Sequence, residues 1–263
     1  MDKKIMKEKV YCKNPVLMNL LDRREDGSYF EFLIVLENVP GAIAKVSSTI
    51  SSFNANIWSG FHATIDELGG AWAFFLEAPP SVSVDSLVKK IEALKEVKEL
   101  RFRKLDKTEY FDVFFFPLCI GGNRVIILTH EAFQDIKQHL IELLGTGGES
   151  ILFNEGLKVG NTILRNIPAT LKINNEKLNF LKDFLRATGW GIIEYQELNP
   201  LRKTGEIYMC NHIEIGPKYS KRCHFIRGIL TSFLRAIFDD EGLSLVETEC
   251  IGAGASKCVF KLV

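Results

Sequence analysis

The sequence has no long apolar run and no excess charge of either sign. Its 33 lysines and arginines balance 33 aspartates and glutamates, so no general field attracts nucleic acid or an acidic membrane surface. No segment approaches the roughly 20 apolar residues of a membrane span, and residues 1–7 are too charged for a signal peptide. We therefore expect a cytoplasmic protein with no membrane contact, and direct nucleic-acid binding is not expected.

Cysteine is sparse, and the common catalytic motifs are missing. The six cysteines are scattered without the dense spacing of a disulfide framework, and no Cys-x-x-Cys pair indicates redox chemistry. There is no G-x-S-x-G elbow, H-E-x-x-H helix or dinucleotide fingerprint. The glycine-rich residues 145–148 lack the lysine and hydroxyl residue that a P-loop needs, which favours a turn. The sequence therefore indicates no enzyme.

Three thiols near the end of the chain are the most informative feature that is present. Cys223 opens a predicted helix, and Cys250 and Cys258 flank residues 251–257, which are typical of a turn between apolar strands. Centring that turn on Gly254 places Cys250 opposite Cys258. Together with a carboxylate these thiols make four ligands, the number that fills a structural zinc site.

The carboxylate of this cluster is ambiguous from spacing alone. Glu247 lies three residues before Cys250, so the two side chains would point to opposite faces of a regular strand. A bulge is needed, or Glu249 is the ligand instead. Two other interpretations stay open at this point: buried free cysteines that pack as small apolar residues, and a cross-strand disulfide.

The length predicts two domains, and the first, residues 29–105, has a ferredoxin-like order. Branched and aromatic runs predict strands, and Ile43, Val46, Ile50 and Phe53 recur at helical spacing. The order strand–helix–strand–strand–helix–strand follows from the segments 32–36, 42–53, 57–65, 71–77, 84–95 and 99–104. Residues 1–28 are an N-terminal extension in this division.

Residues 35–43 and 54–57 resemble the ACT domain, a regulatory module of amino-acid metabolism. The resembling sequences are Val-Leu-Glu-Asn-Val-Pro-Gly-Ala-Ile and Asn-Ala-Asn-Ile. The resemblance implies an amino-acid-type ligand at the start of the first helix, across an interface between two such domains. Free amides at a helix N-terminus favour a polar or anionic ligand. The alternative is a unit that only dimerises. The implied ligand-binding residues are Asn38, Gly41, Ala42 and Ile43.

The second predicted domain, residues 111–263, is also α+β, with helices packed on an antiparallel sheet. Helical spacing of apolar residues predicts four helices, and branched and aromatic runs predict strands. The predicted helices are 130–144, 148–165, 176–187 and 223–238, and the predicted strands are 125–128, 192–197 and 206–215, followed by the closing hairpin.

This domain resembles the vinyl-four-reductase-type (4VR) domain. The resemblance rests on Gly189-Trp190-Gly191, on residues 223–230, and on Glu247-x2-Cys250-x7-Cys258-Val-Phe. The family includes sensor domains of aromatic-responsive transcription activators and is related in fold to Golgi transport-complex subunits. It implies Zn2+ held by Cys223, Glu247, Cys250 and Cys258. It also implies an apolar effector cavity near the metal, for which the candidates are Trp190, His212, His224 and Phe225.

Two resembling sensory modules without catalytic motifs indicate a ligand-responsive regulatory protein. The sequence shows no ATPase or helix-turn-helix, so we expect a small-molecule effector, a homodimer and a regulatory protein partner. The alternative is an enzyme or enzyme subunit in which the metal polarises a substrate or the domain carries one. A third interpretation, direct nucleic-acid binding, would use the basic side chains Lys218, Lys221, Arg222, Arg227 and Arg235.

Overall fold

A computed structural model describes residues 27–66, 69–106, 111–120, 122–216 and 222–263. The described residues fall into two compact units, 27–120 and 122–263. The predicted extension 1–28 and the candidate basic residues Lys218 and Lys221 therefore lie almost entirely outside the described residues. Each unit is described by itself.

The first unit is a four-stranded antiparallel sheet with two helices. Its elements are β1 (Ser28–Glu37), α1 (Ala42–Ser52), β2 (Asn56–Asp66), β3 (Gly69–Ala78), α2 (Val84–Glu92) and β4 (Val97–Lys104), and the short β5 (Cys119–Ile120) follows. The strands of the sheet are ordered β2-β3-β1-β4, which is the ferredoxin-like arrangement that the sequence predicts.

The core of the first unit lies between the two helices and one face of the sheet. Helix α1 buries Ala42, Val46 and Ile50, which recur every four residues and so share one face. Phe32 of β1 stacks on Phe74 of β3 with ring centroids 5.4 Å apart. Ile43, predicted on the apolar face of α1, is 37% exposed, because the buried face runs through position 42.

Residues 111–115, which we call the strap, cover part of the other face of the sheet. Phe114 and Phe115 pack against the small buried patch of Leu33, Ala71 and Ala73, residues that alternate with the core-facing positions. The prediction assigns the strap to the second domain, whereas in the structure residues 111–120 belong to the first unit.

Two hydrogen bonds, from the Val113 amide to Glu31 and from Arg103 to the Phe111 carbonyl, attach the strap to the sheet. The buried carboxylate of Glu31 accepts hydrogen bonds from Arg103 Nε at 2.5 Å and from the Val113 amide at 2.9 Å. Arg103 Nη2 also donates to the Phe111 carbonyl at 2.9 Å. Burial raises the pKa of Glu31, and Arg103 opposes that shift. Since a buried carboxylate is costly unless it is paired, this ion pair ties the strap to β1 and β4.

Replacing Glu31 by alanine is expected to release the strap. The change removes the acceptor of the Val113 amide and the carboxylate that Arg103 bonds, and Arg103 is one-quarter exposed. We expect a loss of about 2 kcal/mol of local stability, which is roughly 30-fold faster exchange of the strap amides. Hydrogen exchange measured by mass spectrometry tests this. Glu99→Ala, which breaks an exposed pair with Arg101, is the control, and equal exchange in both variants contradicts the expectation.

The second unit packs four helices with a second antiparallel sheet. Its elements are β6 (Asn123–Arg124), α3 (His130–Leu144), α4 (Thr146–Leu164), α5 (Asn174–Ala187), β7 (Ile192–Asn199), β8 (Thr204–Cys210), α6 (His224–Phe238), β9 (Leu245–Glu249) and β10 (Cys258–Leu262). The strands of the sheet are ordered β7-β8-β10-β9, so the predicted α+β class is confirmed.

Two predicted strands of the second unit differ in the structure. Residues 125–128 form no strand, and Ile126, Ile127 and Leu128 are exposed, although their branched side chains favour a strand. The strand predicted over 206–215 ends at Cys210, so His212 lies in the loop that follows.

Helix α6 is the centre of the second unit and is buried along most of its length. It crosses α4 at glycines on both helices: Gly156 and Gly160 of α4 meet the backbone or side chains of α6 around Gly228. The cluster of buried residues around α6 also includes Leu181 and Leu185 of α5 and Phe260 of β10. Across the described residues, no helix combines the length and apolar character needed to span a membrane.

Candidate metal centre

The C-terminal hairpin brings two of the thiols together. Strands β9 and β10 are antiparallel, with Glu249 opposite Val259. The next residues toward the turn are Cys250 on one arm and Cys258 on the other. A short 3-10 turn over Ile251–Ala253 and Gly254 with a φ of 97° close the hairpin. The two sulfurs lie 3.9 Å apart.

A bulge at Thr248 brings Glu247 to the same side. The register shifts between Val259 and Phe260, so that Phe260 lies opposite Glu247 while Val259 lies opposite Glu249. Thr248 is therefore the additional residue of a β-bulge, which re-aims the neighbouring side chains. Glu249 is exposed. Of the two carboxylates that spacing left open, the structure places Glu247 at the thiols.

The third thiol, Cys223, comes from the residue that precedes α6. Its Sγ lies 3.5 Å from that of Cys250 and 3.8 Å from that of Cys258. The Cys223 amide donates to Glu247 Oε2 at 2.7 Å, so the carboxylate also holds the N-terminus of the helix, where a negative charge is favoured.

These four side chains fit a tetrahedral metal site. One ligand atom from each of Cys223, Glu247, Cys250 and Cys258 lies within 4.8 Å of all the others. Two thiolates bonded to one zinc at about 2.3 Å are about 3.8 Å apart in a tetrahedron, close to the sulfur separations given above. Glu247 Oε1 is buried without a hydrogen-bond partner among the described residues, which is the atom that a metal ion would satisfy.

The thiols influence each other's ionisation. Hydrogen bonds from Cys223 and Cys258 lower the pKa of Cys250, whereas donating such bonds raises the pKa of Cys223. Burial raises the pKa of Glu247 to about 7. In the metal-free cluster, Cys250 is therefore the first thiol to ionise. A metal ion must displace the remaining protons, so binding releases them to solvent.

His212, predicted as an effector-binding residue, contacts two of the thiols. Its Nε2 lies 3.3 Å from Cys258 Sγ and 3.8 Å from Cys223 Sγ. Its Nδ1 accepts a hydrogen bond from the Glu214 amide at 3.3 Å, so the ring hydrogen is on Nε2 and is directed at the sulfurs. Burial lowers the pKa of His212 to about 4. Such an N–H donor orients and stabilises a metal-bound thiolate.

Sequence reasoning missed two buried charged residues beside this site. The carboxylate of Glu214 accepts the amides of Phe225 at 3.1 Å and Ile226 at 2.8 Å, and burial raises its pKa to about 7. Lys137 of α3 donates from Nζ to the Glu214 carbonyl at 2.7 Å. Nothing in the local sequence distinguishes either residue from an exposed charge.

Of the other three effector candidates, Trp190 and Phe225 stack on each other at the start of α6, and His224 precedes Phe225 in the helix. The ring of Phe225 is stacked on that of Trp190 with centroids 6.0 Å apart. The ring of Phe133 is tilted against that of Phe225, with centroids 5.1 Å apart. His224 Nε2 and Gln134 Oε1 are buried without hydrogen-bond partners among the described residues. The nearest carboxylate oxygen to His224 Nε2, on Glu149, is 3.6 Å away. Phe133 and Gln134 are additions that the sequence did not indicate.

The candidate ligand residues of the first unit lie at an open helix start. Gly41 has a φ of 86° at the N-cap, where no side chain caps α1, and no atom lies within 4 Å of a Cβ built there. Asn38, Gly41 and Ile43 are exposed, whereas Ala42 is buried. The junction leaves room for a ligand or a partner backbone, and binding there stays a prediction.

Two of the candidate basic residues near α6, Arg227 and Arg235, bind carbonyl groups of the same unit. Arg227 donates to the Leu245 carbonyl at 3.3 Å and lies 4.2 Å over the Phe153 ring. Arg235 donates to the Leu243 carbonyl at 2.8 Å. Side chains held in this way are less available to phosphate groups than free surface lysines, which weakens the nucleic-acid interpretation.

No protein-family model matches the chain, and no curated protein matches it. Among solved structures, the phenol-responsive sensory domain of the transcription activator PoxR with phenol is 16% identical with a TM-score of 0.46, over 55% of this chain and 78% of that one. A vinyl-4-reductase family protein from Methanocaldococcus jannaschii is 24% identical with a TM-score of 0.37, over 53% of this chain and 83% of that one. The ACT domain from the GTP pyrophosphokinase of Chlorobium tepidum is 17% identical with a TM-score of 0.26, over 29% of this chain and 99% of that one.

Proposed function

We propose that this chain is a cytoplasmic, ligand-responsive regulatory protein. In this proposal the second unit is stabilised by zinc and binds an apolar or aromatic effector. The first unit binds an amino-acid-type ligand or contacts a second copy, and the homodimer acts through a protein partner. The observation that carries the proposal is the closed cluster of Cys223, Glu247, Cys250 and Cys258.

The closed cluster favours a structural metal over a catalytic one. A catalytic zinc keeps one position for water or substrate, whereas a structural zinc has all four positions filled by protein. Here the four donors come from the start of α6 and from both arms of the hairpin. Thiolates favour zinc over harder cations such as magnesium. The donor set therefore supports a sensor domain rather than the alternative of a metal-assisted enzyme.

The surroundings of Phe225 support an effector with an apolar body and a polar group. Trp190, Phe133 and Phe225 offer aromatic surface, and a binding pocket typically combines such surface with a few polar groups. His224 and Gln134 are the sequence neighbours of Phe225 and Phe133, and their buried Nε2 and Oε1 atoms, which have no hydrogen-bond partner among the described residues, can act as donor or acceptor. A buried polar atom without a partner costs about 1–3 kcal/mol, so a ligand hydroxyl that bonds it recovers that energy.

Coupling between the two proposed binding sites requires two conformations of the protein for which the ligands have different affinities. An effector shifts such an equilibrium only by the difference between its affinities for the two states. An amino-acid-type ligand at the Gly41 junction would meet the amides that open α1. The effector in the second unit would meet the start of α6. Both proposed sites are at helix N-termini, at Gly41 for α1 and at Cys223 for α6.

Metal content tests the proposal first. We expect about one zinc ion per chain in protein purified without added metal, measured by mass spectrometry of the acidified sample. Cys258→Ser should lose the ion, because it removes one of four donors. Cys210→Ser is the matched control, since this half-buried thiol lies in the same unit outside the cluster. Metal-free wild-type protein would leave the thiols as core packing and overturn the zinc site.

Effector binding gives a separate prediction, with phenol and toluene as probes. Both have an aromatic ring, but only phenol can bond His224 Nε2 or Gln134 Oε1. We expect phenol to bind roughly 10-fold more tightly than toluene, a difference of about 1.4 kcal/mol for one hydrogen bond. Isothermal titration calorimetry measures both affinities. The preference should disappear in the double variant His224→Leu/Gln134→Leu, which removes both polar groups. It should persist in His139→Leu, which changes an exposed histidine of α3. Equal affinities in the wild type would exclude this polar contact.

A further inference from the structure

Helix α3 buries two polar side chains, Gln134 and Lys137. Phe133, Leu140 and Ile141 of the same helix pack against the core but are only partly buried, and Ile136, Leu143 and Leu144 are 53%, 64% and 50% exposed. A helix on a protein core normally turns its apolar stripe inward. The burial of a lysine on this helix therefore needs a specific energetic reason.

Lys137 is completely buried, with a relative exposure of 0%, and hydrogen bonding alone does not account for its position. Among the described residues, its Nζ donates one hydrogen bond, to the Glu214 carbonyl at 2.7 Å, although an ammonium group has three donors. The Glu214 carboxylate is directed to the amides of α6 instead. Taking an ammonium out of water costs several kcal/mol unless opposite charge lies nearby.

Opposite charge lies at the metal centre. Three thiolates and one carboxylate bring four negative charges, of which a divalent cation neutralises two, and a metal site must be considered with the charge of its ion. A short series of contacts connects Lys137 to this charge: its Nζ bonds the Glu214 carbonyl, the Glu214 amide bonds His212 Nδ1, and His212 Nε2 lies 3.3 Å from Cys258 Sγ. Burial lowers the pKa of Lys137, and the charges of Glu214, Cys223 and Cys250 oppose that shift, as expected in an interior where charges are weakly screened.

We propose that Lys137 is the buried counter-charge of the metal centre. It is a positioning residue that favours the loaded site, in which all three sulfurs are thiolates. Through its bond to the Glu214 carbonyl it also connects α3 to the loop that carries His212. The proposal rests on the zinc site of the proposed function and adds a residue outside the ligand set. Residues around a metal that are not ligands commonly change its affinity by 10- to 100-fold.

Zinc release to a chromogenic chelator tests this proposal at one fixed pH. The variants are Lys137→Met, which removes both charge and donor, and Lys137→Gln, which retains a donor without the charge. Lys182→Met is the control, because this lysine pairs with Glu194 at 2.6 Å in the same unit. Zinc-loaded protein is used throughout, and the zinc content of each sample is measured before the chelator is added.

We expect both charge-free variants to release zinc about 10- to 100-fold faster than the wild type, and Lys182→Met to release it at the wild-type rate. Release at the wild-type rate from Lys137→Gln would overturn the proposal, since the hydrogen bond rather than the charge would then matter. If Lys137→Met does not fold, Lys137→Gln alone decides. A wild-type protein that holds no zinc is a different result, because it removes the metal site itself.

Discussion

Removal of the metal is expected to unfold the second unit and to leave the first unit folded. The four donors join the start of α6 to both strands of the C-terminal hairpin, and no other covalent or metal link is implied there. A ligand present at 1,000 times its Kd stabilises the folded state by about 4 kcal/mol, and structural zinc sites often exceed this. Since domains of 100–150 residues are stable by roughly 5–15 kcal/mol, the loss is a large fraction of the total.

Hydrogen exchange with and without a chelator measures this effect in each unit separately. Peptides from α6, β9 and β10 should exchange at least about 100-fold faster after metal removal. Peptides from β1 and α1 should not change, because they belong to the other core. Cys250→Ser should show the fast exchange without chelator, and Cys210→Ser should behave as the wild type. Unchanged exchange around α6 in metal-free protein would show that the thiols act as small apolar side chains.

The order of the first unit could be predicted because its elements have clear sequence patterns. The branched and aromatic runs of β1 and β3 are buried almost continuously, and the four-residue spacing of buried residues on α1 follows from helix geometry. The position of the strap could not be predicted, because it depends on Glu31. A glutamate within an apolar strand gives no indication of whether it is exposed or buried beneath another segment.

The metal centre illustrates the same limit at the level of single residues. A turn centred on Gly254 was sufficient to place Cys250 opposite Cys258, since pairing in a hairpin follows the turn. The position of Glu247 depended on a bulge at Thr248, for which spacing offers two solutions. The contact of His212 with the thiols and the burial of Lys137 could not be predicted, because His212 lies in a loop and Lys137 is a charged residue on the buried side of a helix.

The crossing of α4 and α6 gives the second large prediction. A Cβ on Gly228 would lie 2.2 Å from the Phe153 carbonyl oxygen and 2.9 Å from the Leu157 amide nitrogen. A Cβ on Gly156 would lie 2.1 Å from the Phe225 carbonyl oxygen. These neighbours are backbone atoms of packed helices and cannot rotate away. We expect Gly228→Ala to destabilise the second unit by about 3 kcal/mol or more, at the upper end of overpacking.

Gly147 provides the matched control, because it lies in the first turn of the same α4 and its Cβ would meet only Leu144 at 3.7 Å. Gly147→Ala should be neutral or stabilise the unit by up to about 1 kcal/mol, since alanine is the better helix former. Thermal unfolding of both variants measures the difference.

Gly228→Ala should also release zinc faster, because displacement of α6 moves Cys223 at its N-terminus. If Gly228→Ala loses stability but retains zinc at the wild-type rate, the helix crossing and the metal centre are independent. Faster release would show that the position of α6 sets the geometry of the thiols, and this is the physical link through which an effector beside Phe225 would act on the hairpin.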